Sequence, residues 1–259
     1  MDNISLYEDI KARTGGEIYL GVVGPVRTGK STFIRRFMDL CVIPSILDPN
    51  EKKRIIDELP QAGVGKTVMT TEPKFIPKTG IEIPLSNNVK AKFRLIDCVG
   101  YIVDSAQGVY EDDKERLVKT PWFDENIPFS KAAQTGTEKV IRDHSTIGIV
   151  MTTDGSIGEF TRDDYISAEE KAIMELKKIK KPFIVIVNST FPASDFTRKI
   201  ANEISEKYEV TALPMDCENL NKEDVNKILS AILYEFPIDC FNFNLSLIHI
   251  SEPTRLGMI

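Results

Sequence analysis

The sequence predicts an α/β fold in three layers, with a mostly parallel central sheet between two layers of helices. Short apolar runs with strand character alternate along most of the chain with amphipathic stretches of helical period. A glycine-rich motif of the kind that binds phosphate follows the first apolar run and opens the first of these helices. Such alternation places parallel strands side by side, with ligands expected at their carboxyl ends.

Hydrophobic period and capping signals define the individual elements. The predicted strands are Ile18–Val23, Lys90–Ile96, Thr146–Met151, Pro182–Val187 and, more weakly, Val210–Leu213. The predicted helices are Ser31–Leu40, Ile166–Lys178, Asp195–Lys207 and Asn221–Glu235. Within the second of these, Ser167 and Glu170 have the spacing of a capping box.

Two segments break the alternation. Ile43–Pro84 is rich in Pro, Gly and Thr, and Gly100–Pro128 contains a run of charged residues. We expect them to be long insertions within one domain that covers residues 1–240.

Composition excludes several classes of protein. The 259 residues are 42% hydrophobic and 28% charged, as in folded globular proteins. The 33 basic and 39 acidic residues give a net charge of -6, so nucleic acid is not an expected partner. The four cysteines lack metal-binding or redox spacing, and neither a signal peptide nor an apolar run of roughly 18 residues is found. These features favour a cytoplasmic protein with reduced thiols.

The phosphate-binding motif is a P-loop, so the fold class is that of a P-loop NTPase. Residues 24–31 match G-x-x-x-x-G-K-[ST] between the first predicted strand and the first predicted helix. Lysine is needed at the β- and γ-phosphates, and the Ser31 hydroxyl is the expected Mg²⁺ ligand. The residues expected to bind the nucleotide here are Gly24, Arg27, Thr28, Gly29, Lys30, Ser31 and Thr32.

A second element follows the strand Lys90–Ile96. Asp97 to Gly100 read D-x-x-G, and a carboxylate at this place in a phosphoryl-transfer protein supports Mg²⁺. We therefore expect Asp97 at the metal and the amide of Gly100 near the γ-phosphate. With the P-loop, this arrangement predicts the GTPase-like (TRAFAC-type) topology.

A threonine between these elements is expected to complete the Mg²⁺ coordination and to sense the γ-phosphate. Thr67, Thr70 and Thr71 are the candidates. Thr70 and Thr71 are favoured because they precede Glu72-Pro73, where proline imposes an extended exit.

The guanine-recognition motif N-K-x-D is incomplete. After the strand that ends at Val187, the chain reads Asn188-Ser189-Thr190-Phe191, so the carboxylate that would pair with guanine is absent. Asn188 keeps the first position and remains a candidate nucleotide-binding residue. The sequence therefore favours ATP, with Mg²⁺, over GTP.

The residue that orients water in many GTPases also differs. Tyr101 takes the place of the glutamine after D-x-x-G, so we expect hydrolysis to be slow or to use another group. The candidates for that group are Arg27, Arg35, Arg36 and Gln107.

Several collinear strings resemble the stage IV sporulation protein A family over roughly residues 3 to 244. They are RTGKST at 27–32, GKTVMTTEPKF at 65–75, DCVGY at 97–101, TPW at 120–122, HSTIG at 144–148 and TTDG at 152–155. The resemblance implies an ATPase derived from GTPases, found in spore-forming bacteria. It implies that Lys30 is the P-loop lysine, Asp97 the carboxylate on the Mg²⁺ side, and Thr70 and Thr71 the nucleotide-sensing threonines.

The resemblance also implies partners and a location. ATP hydrolysis would drive self-assembly into a static polymer, the basement layer of the spore coat. The protein would lie in the mother-cell cytoplasm, peripherally at the outer membrane surface of the forespore. Further domains of the family, implied to contact the small membrane-bound stage V sporulation protein M and other coat proteins, are not expected in this chain. Membrane contact is expected only indirectly or through that missing part.

The end of the chain departs from the family. Residues 246–255 read SLIHISEPTR, which resembles translated sequencing-adapter read-through, so we expect residues 246–259 to be a non-native tail.

Three functional hypotheses stay open, in order of preference. The first is an ATPase whose chemistry controls polymerisation, the second a regulatory switch GTPase, and the third a scaffold that holds nucleotide without hydrolysing it.

Overall fold

The computed structural model describes residues 3–60, 73–86, 89–98, 100–103, 110–111, 114–120 and 122–236. The strands are β1 (Glu17–Val23), β2 (Lys74–Ser86), β3 (Val89–Asp97), β4 (Tyr110–Glu111), β5 (Lys114–Glu115), β6 (Leu117–Val118), β7 (Ile127–Pro128), β8 (Ile147–Thr153), β9 (Phe183–Asn188) and β10 (Ala212–Met215). The helices are α1 (Asn3–Thr14), α2 (Lys30–Phe37), α3 (Pro49–Glu58), α4 (Phe129–Lys139), α5 (Arg162–Ile179), α6 (Asp195–Tyr208) and α7 (Lys222–Glu235).

Six strands form the central sheet in the order β10-β9-β8-β1-β3-β2. Five of them are parallel, and β2 pairs antiparallel with β3 at one edge. The mostly parallel sheet and the GTPase-like topology are thus confirmed. The carboxyl ends of β1, β3, β8 and β9 meet at one edge of the sheet, where a ligand site is expected.

A hydrophobic core lies on each face of the sheet. The first contains Leu20, Phe33 and Phe93, with apolar residues of α1, α2, α3 and α7. The second contains Val150 and Tyr165, with apolar residues of α4, α5 and α6. Successive residues of the buried strands alternate between the two cores, as strand geometry requires. The three-layer architecture follows from that alternation.

The predicted strands and helices are all present, with shifted ends. The capping box of α5 was predicted wrongly at Ser167 and Glu170, because the helix begins earlier. Thr161 is the N-cap, and its backbone N–H donates to the carboxylate of Asp164 at 2.8 Å. The capping box fixes the start of α5 at Arg162.

Two described parts of the predicted insertion 43–84 form regular elements, α3 and β2, that the sequence did not predict. Asp48 caps α3 by accepting from the backbone N–H of Asn50 at 2.9 Å, and Pro49 occupies the first turn. Pro77 and Pro84 obscured β2 in the sequence, yet an edge strand tolerates proline because one side of it needs no ladder hydrogen bonds.

The segment 100–128 contains little regular structure in its described residues. Two short antiparallel pairs, β4 with β5 and β6 with β7, are present there. Residues 61–72, 104–109 and 237–259, including the predicted tail, lie outside the described residues. Within the described ranges, no helix is both long enough and apolar enough to cross a bilayer.

Candidate nucleotide site

The P-loop connects β1 to α2. Gly24, Arg27 and Gly29 have positive φ angles of 131°, 63° and 86°. A Cβ at Gly24 would lie 2.1 Å from the carbonyl oxygen of Met151, so only glycine fits. Gly29 caps α2, and the N-terminus of the helix faces the loop. This backbone has the form that binds phosphate.

The side chain of Lys30 folds back against the P-loop backbone. This side chain is buried, and Nζ donates to the carbonyl oxygens of Pro25 at 2.5 Å and Gly24 at 3.4 Å. Burial lowers the pKa of Lys30, while Cys98 and Asp97 oppose that change. An ammonium group that has lost water and has two neutral acceptors is well suited to bind an incoming phosphate.

Thr28 and Thr32 have different positions. The Thr28 hydroxyl is buried and donates to the carbonyl oxygen of Pro25 at 3.0 Å, so its side chain braces the loop. Thr32 is half-buried in the first turn of α2.

Asp97 and Ser31 form the candidate metal position. The Ser31 hydroxyl donates to Oδ2 of Asp97 at 2.8 Å across 66 positions of sequence. Burial raises the pKa of Asp97, and Ser31 and Lys30 work in the opposite direction. A carboxylate and a hydroxyl are the oxygen ligands that Mg²⁺ prefers, and a divalent cation would offset the burial of the charge. The residues present therefore fit Mg²⁺.

Gly100 lies directly against the P-loop. A Cβ on Gly100 would be 2.1 Å from the carbonyl oxygen of Gly24 and 2.8 Å from Nζ of Lys30. The next residue, Tyr101, donates its N–H to the Gly24 carbonyl at 3.0 Å and accepts from the N–H of Val26 at 2.9 Å. The D-x-x-G segment is thus fixed to the loop beside Lys30.

Tyr101 does not point toward the phosphate side. Its ring is buried in the second core, and its hydroxyl has no hydrogen-bond partner among the described residues. Burial raises the pKa of Tyr101, and the carboxylates of Glu175 on α5 and Glu138 on α4 raise it further. A side chain directed into this helix layer is not placed to orient a water molecule.

The other candidates for orienting the water molecule differ in where they lie. Arg35 and Arg36 are exposed in the last turn of α2, away from the loop, and Arg27 is half-buried within it. Gln107 falls outside the described residues, as do Thr67, Thr70 and Thr71. Lys74, at the start of β2, lies opposite Asp97 in the antiparallel register of β2 with β3.

Asn188 joins three loops at the carboxyl edge of the sheet. Its Nδ2 donates to the carbonyl oxygen of Thr28 at 3.0 Å, and its Oδ1 accepts from the N–H of Cys217 at 3.0 Å. A Cβ on Gly29 would lie 2.3 Å from that Nδ2. Both ends of the amide are therefore used, and Asn188 supports the P-loop by direct contact.

The residues after Asn188 differ sharply in exposure. Ser189 takes the place of the lysine of the guanine-recognition motif and is fully buried. Phe191 occupies the place of the guanine-reading aspartate and is 67% exposed. The described side chains at these positions offer no carboxylate to guanine.

Sequence reasoning missed two polar networks beside the site. Asp154, at the end of β8, binds Ser156 and Thr197 through both carboxylate oxygens. Arg162 pairs with the buried Glu169 at 2.5 Å and 2.9 Å and fixes α5 to β8. Asp154 lies in the string TTDG, which carried resemblance but no assigned role. No set of three or more His, Cys, Asp or Glu side chains able to bind a metal occurs in the described part of the chain.

Comparisons with known proteins give a consistent result. Residues 1–237 match the family described as "Stage IV sporulation protein A, ATPase domain". Stage IV sporulation protein A of Clostridioides difficile (strain 630) is 53% identical over 243 residues, 94% of this chain and 50% of that protein. The Bacillus subtilis (strain 168) protein of the same name is 49% identical over 245 residues, 95% of this chain and 50% of its own length. The chain thus spans about half the length of the curated relatives it matches.

Among solved structures, translation elongation factor SelB from Methanococcus maripaludis, in its apo form, aligns with a TM-score of 0.43 and 12% identity. The alignment covers 85% of this chain and 33% of that one.

Proposed function

The chain belongs to the stage IV sporulation protein A family, as a match to its ATPase domain, and we propose on that basis that it binds and hydrolyses ATP with Mg²⁺. The observation that carries the proposal is the cluster of Lys30, Ser31 and Asp97, in which a buried ammonium group lies beside a hydrogen-bonded hydroxyl and carboxylate. These are groups that hold the phosphates and the metal ion in phosphoryl-transfer proteins.

Each group has a distinct part in hydrolysis. Water attacks the γ-phosphorus and releases a proton to solvent, the bond from the γ-phosphorus to the bridging oxygen breaks, and ADP and inorganic phosphate are the products. The ammonium of Lys30 stabilises negative charge at the phosphates, and the P-loop amides orient them. Mg²⁺, when bound, would neutralise charge on the β- and γ-phosphates. Ser31 and Asp97 would hold it, with Thr70 a further candidate ligand.

The residues that follow β9 favour ATP over GTP. Discrimination for guanine requires a carboxylate to pair with its two N–H donors, and Phe191 cannot supply one. The proposal therefore specifies ATP as the substrate. GTP turnover comparable to that of ATP would contradict it.

For the larger protein we propose a role in sporulation. There the ATPase domain would drive assembly of a polymer that forms the basement layer of the spore coat on the forespore surface. The partners would be other copies of the chain, coat proteins and a small membrane-bound peptide. The family name of the relatives supports sporulation.

Phosphate release tests the activity directly. The purified 259-residue chain is incubated with ATP or GTP and Mg²⁺ over a range of protein concentrations. We expect ATP turnover that chelation, Lys30→Ala or Asp97→Ala abolishes. Lys199→Ala, at an exposed residue of α6, is the matched control and should behave as the unmodified chain does.

A scaffold that binds nucleotide without turnover is the second candidate. The burial of Tyr101 favours it, because the residue that would orient water in a GTPase instead packs in the core. Tight ATP binding without phosphate release at any protein concentration would replace the first proposal by this one.

A further inference from the structure

The carboxylate of Asp154 is hydrogen-bonded on both sides at the end of β8. Oδ1 accepts from the backbone N–H of Ser156 at 2.9 Å and from its hydroxyl at 2.6 Å. Oδ2 accepts from the hydroxyl of Thr197 at 2.6 Å. Only 7% of Asp154 is exposed, so these bonds hold a carboxylate that is largely removed from water.

The two hydroxyls that donate to Asp154 lead on to the loop after β9. The oxygen of Ser156 accepts from the N–H of Thr190 at 3.0 Å. The hydroxyl of Thr197 lies 3.2 Å from that of Ser189, which accepts from the N–H of Phe191 at 2.9 Å. Each hydroxyl donates its hydrogen to the carboxylate, so the lone pairs of each hydroxyl oxygen are left to accept hydrogen bonds from the loop after β9. Asp154 thereby orients two chains of hydrogen bonds that end on successive amides of one loop.

This loop comprises residues 188–191, and its first residue contacts the P-loop. Asn188 donates to the carbonyl oxygen of Thr28 and lies against Gly29, and the loop continues to the exposed ring of Phe191. Both oxygens of Asp154 already accept hydrogen bonds from Ser156 and Thr197, and the carboxylate is largely buried. The route by which it would influence a bound nucleotide is therefore the loop that these hydroxyls contact.

We infer that Asp154 is a positioning residue for the nucleotide base: it fixes loop 188–191 beside the P-loop, so that the loop presents a preformed surface to the base of ATP. The inference rests on the proposed function. Hydrogen bonds from Ser156, Ser189 and Thr197 lower the pKa of Asp154 although burial alone would raise it, so the group is ionised at neutral pH. A preformed loop spares the cost of ordering it when nucleotide binds.

Comparing the binding of ATP with that of a phosphate ligand that has no base distinguishes this role from a general effect on folding. The dissociation constants of ATP and of inorganic tripolyphosphate, which has phosphates but no base, are measured by calorimetry with Mg²⁺ on the 259-residue chain. For Asp154→Asn we expect the constant for ATP to rise about tenfold and that for tripolyphosphate to stay within about twofold. Thr197→Val and Ser156→Ala, which each remove one hydroxyl, should give smaller rises for ATP alone.

Glu169→Gln is the matched control. Glu169 is also a buried carboxylate bonded at β8, but its described hydrogen-bond partners are Thr152 and Arg162 rather than the loop. We expect this variant to lower thermal stability without separating the two dissociation constants. Hydrogen exchange supplies a ligand-free measurement: the peptide that contains Thr190 and Phe191 should exchange faster in Asp154→Asn than in the control.

Each outcome is decisive. Equal weakening of ATP and tripolyphosphate, or no change in either, would overturn the inference even if exchange increased. If the unmodified chain binds tripolyphosphate and ATP equally well, the base makes no contribution and the inference fails while the P-loop assignment stands. If it binds neither, the proposed function fails, and the inference falls with it.

Discussion

The hydroxyl of Ser31 donates a 2.8 Å hydrogen bond to Oδ2 of Asp97, which joins the first turn of α2 to the end of β3. This contact does not fully offset the burial of the carboxylate, since the pKa of Asp97 remains raised. The folded chain without metal therefore binds a proton at Asp97 more tightly than the unfolded chain does.

We predict that the free energy of unfolding of the metal-free chain falls as the pH rises above about 4, through the raised pKa of Asp97. The sign follows from proton counting: in this range the folded state holds the extra proton, so raising the pH disfavours it. Asp97→Asn should flatten this part of the profile. Urea unfolding in the presence of a chelator, at a series of pH values, measures both curves.

Glu170→Gln, at an exposed residue of α5, is the control for that series and should leave the profile unchanged. A profile of equal slope for Asp97→Asn and the unmodified chain would show that Asp97 does not carry the dependence.

Gly100→Ala should destabilise the chain severely and abolish ATP binding. The new Cβ would meet the carbonyl oxygen of Gly24 at 2.1 Å and Nζ of Lys30 at 2.8 Å, and φ is 89°. Gly15→Ala is a matched control, because Gly15 also has positive φ but no atom within 4 Å of the new Cβ. We expect the control to cost about 1 kcal/mol, from backbone strain alone. Thermal unfolding compares them, and equal losses would refute the close approach at Gly100.

Glu169→Gln should lower the free energy of unfolding by about 3 kcal/mol, because it leaves Arg162 without its charged partner in a mostly buried site. The neighbouring Glu170 forms a surface pair with Lys207, and both side chains are about half exposed. Glu170→Gln should therefore change stability by less than about 1 kcal/mol. Urea denaturation of the two variants gives the comparison, and similar losses would contradict it.

Asn188→Asp should weaken nucleotide binding and lower stability. It replaces the N–H₂ donor that faces the Thr28 carbonyl at 3.0 Å by a second acceptor. Asn221→Asp makes the same chemical change at the N-cap of α7, where the side-chain oxygen accepts from two backbone N–H groups. Aspartate caps a helix as well as asparagine does, so the control should be neutral. ATP titration and thermal unfolding test both, and a neutral Asn188→Asp would show that the bond to Thr28 is dispensable.

The sequence predicted the elements that have strong periodicity and the residues that belong to a motif. β1, the P-loop and α2 follow one another as expected, and Asp97 lies beside Ser31 because both motifs occur at strand ends. Parallel strands align these ends whatever the length of chain between them. The proximity of Ser31 and Asp97, which lie 66 positions apart, was therefore predictable from the sequence.

The remaining features depend on tertiary contacts that have no local pattern. β2 contains prolines and pairs at an edge, so its alternation is weak, and α1 has a weakly amphipathic sequence. The contacts of Asp154 with Thr197 and of Asn188 with Thr28 join residues 43 and 160 positions apart. Side chains such as these become informative only when the strand order is known.

The burial of Tyr101 limits how the site can move. Its backbone is bonded to the P-loop on one side, and its ring is inserted among the helices of the second core on the other. Displacing this part of the D-x-x-G segment would expose most of an aromatic side chain, at a cost of about 2 kcal/mol. The segment beside Lys30 is therefore held from two sides, by backbone hydrogen bonds to the P-loop and by the burial of an aromatic ring.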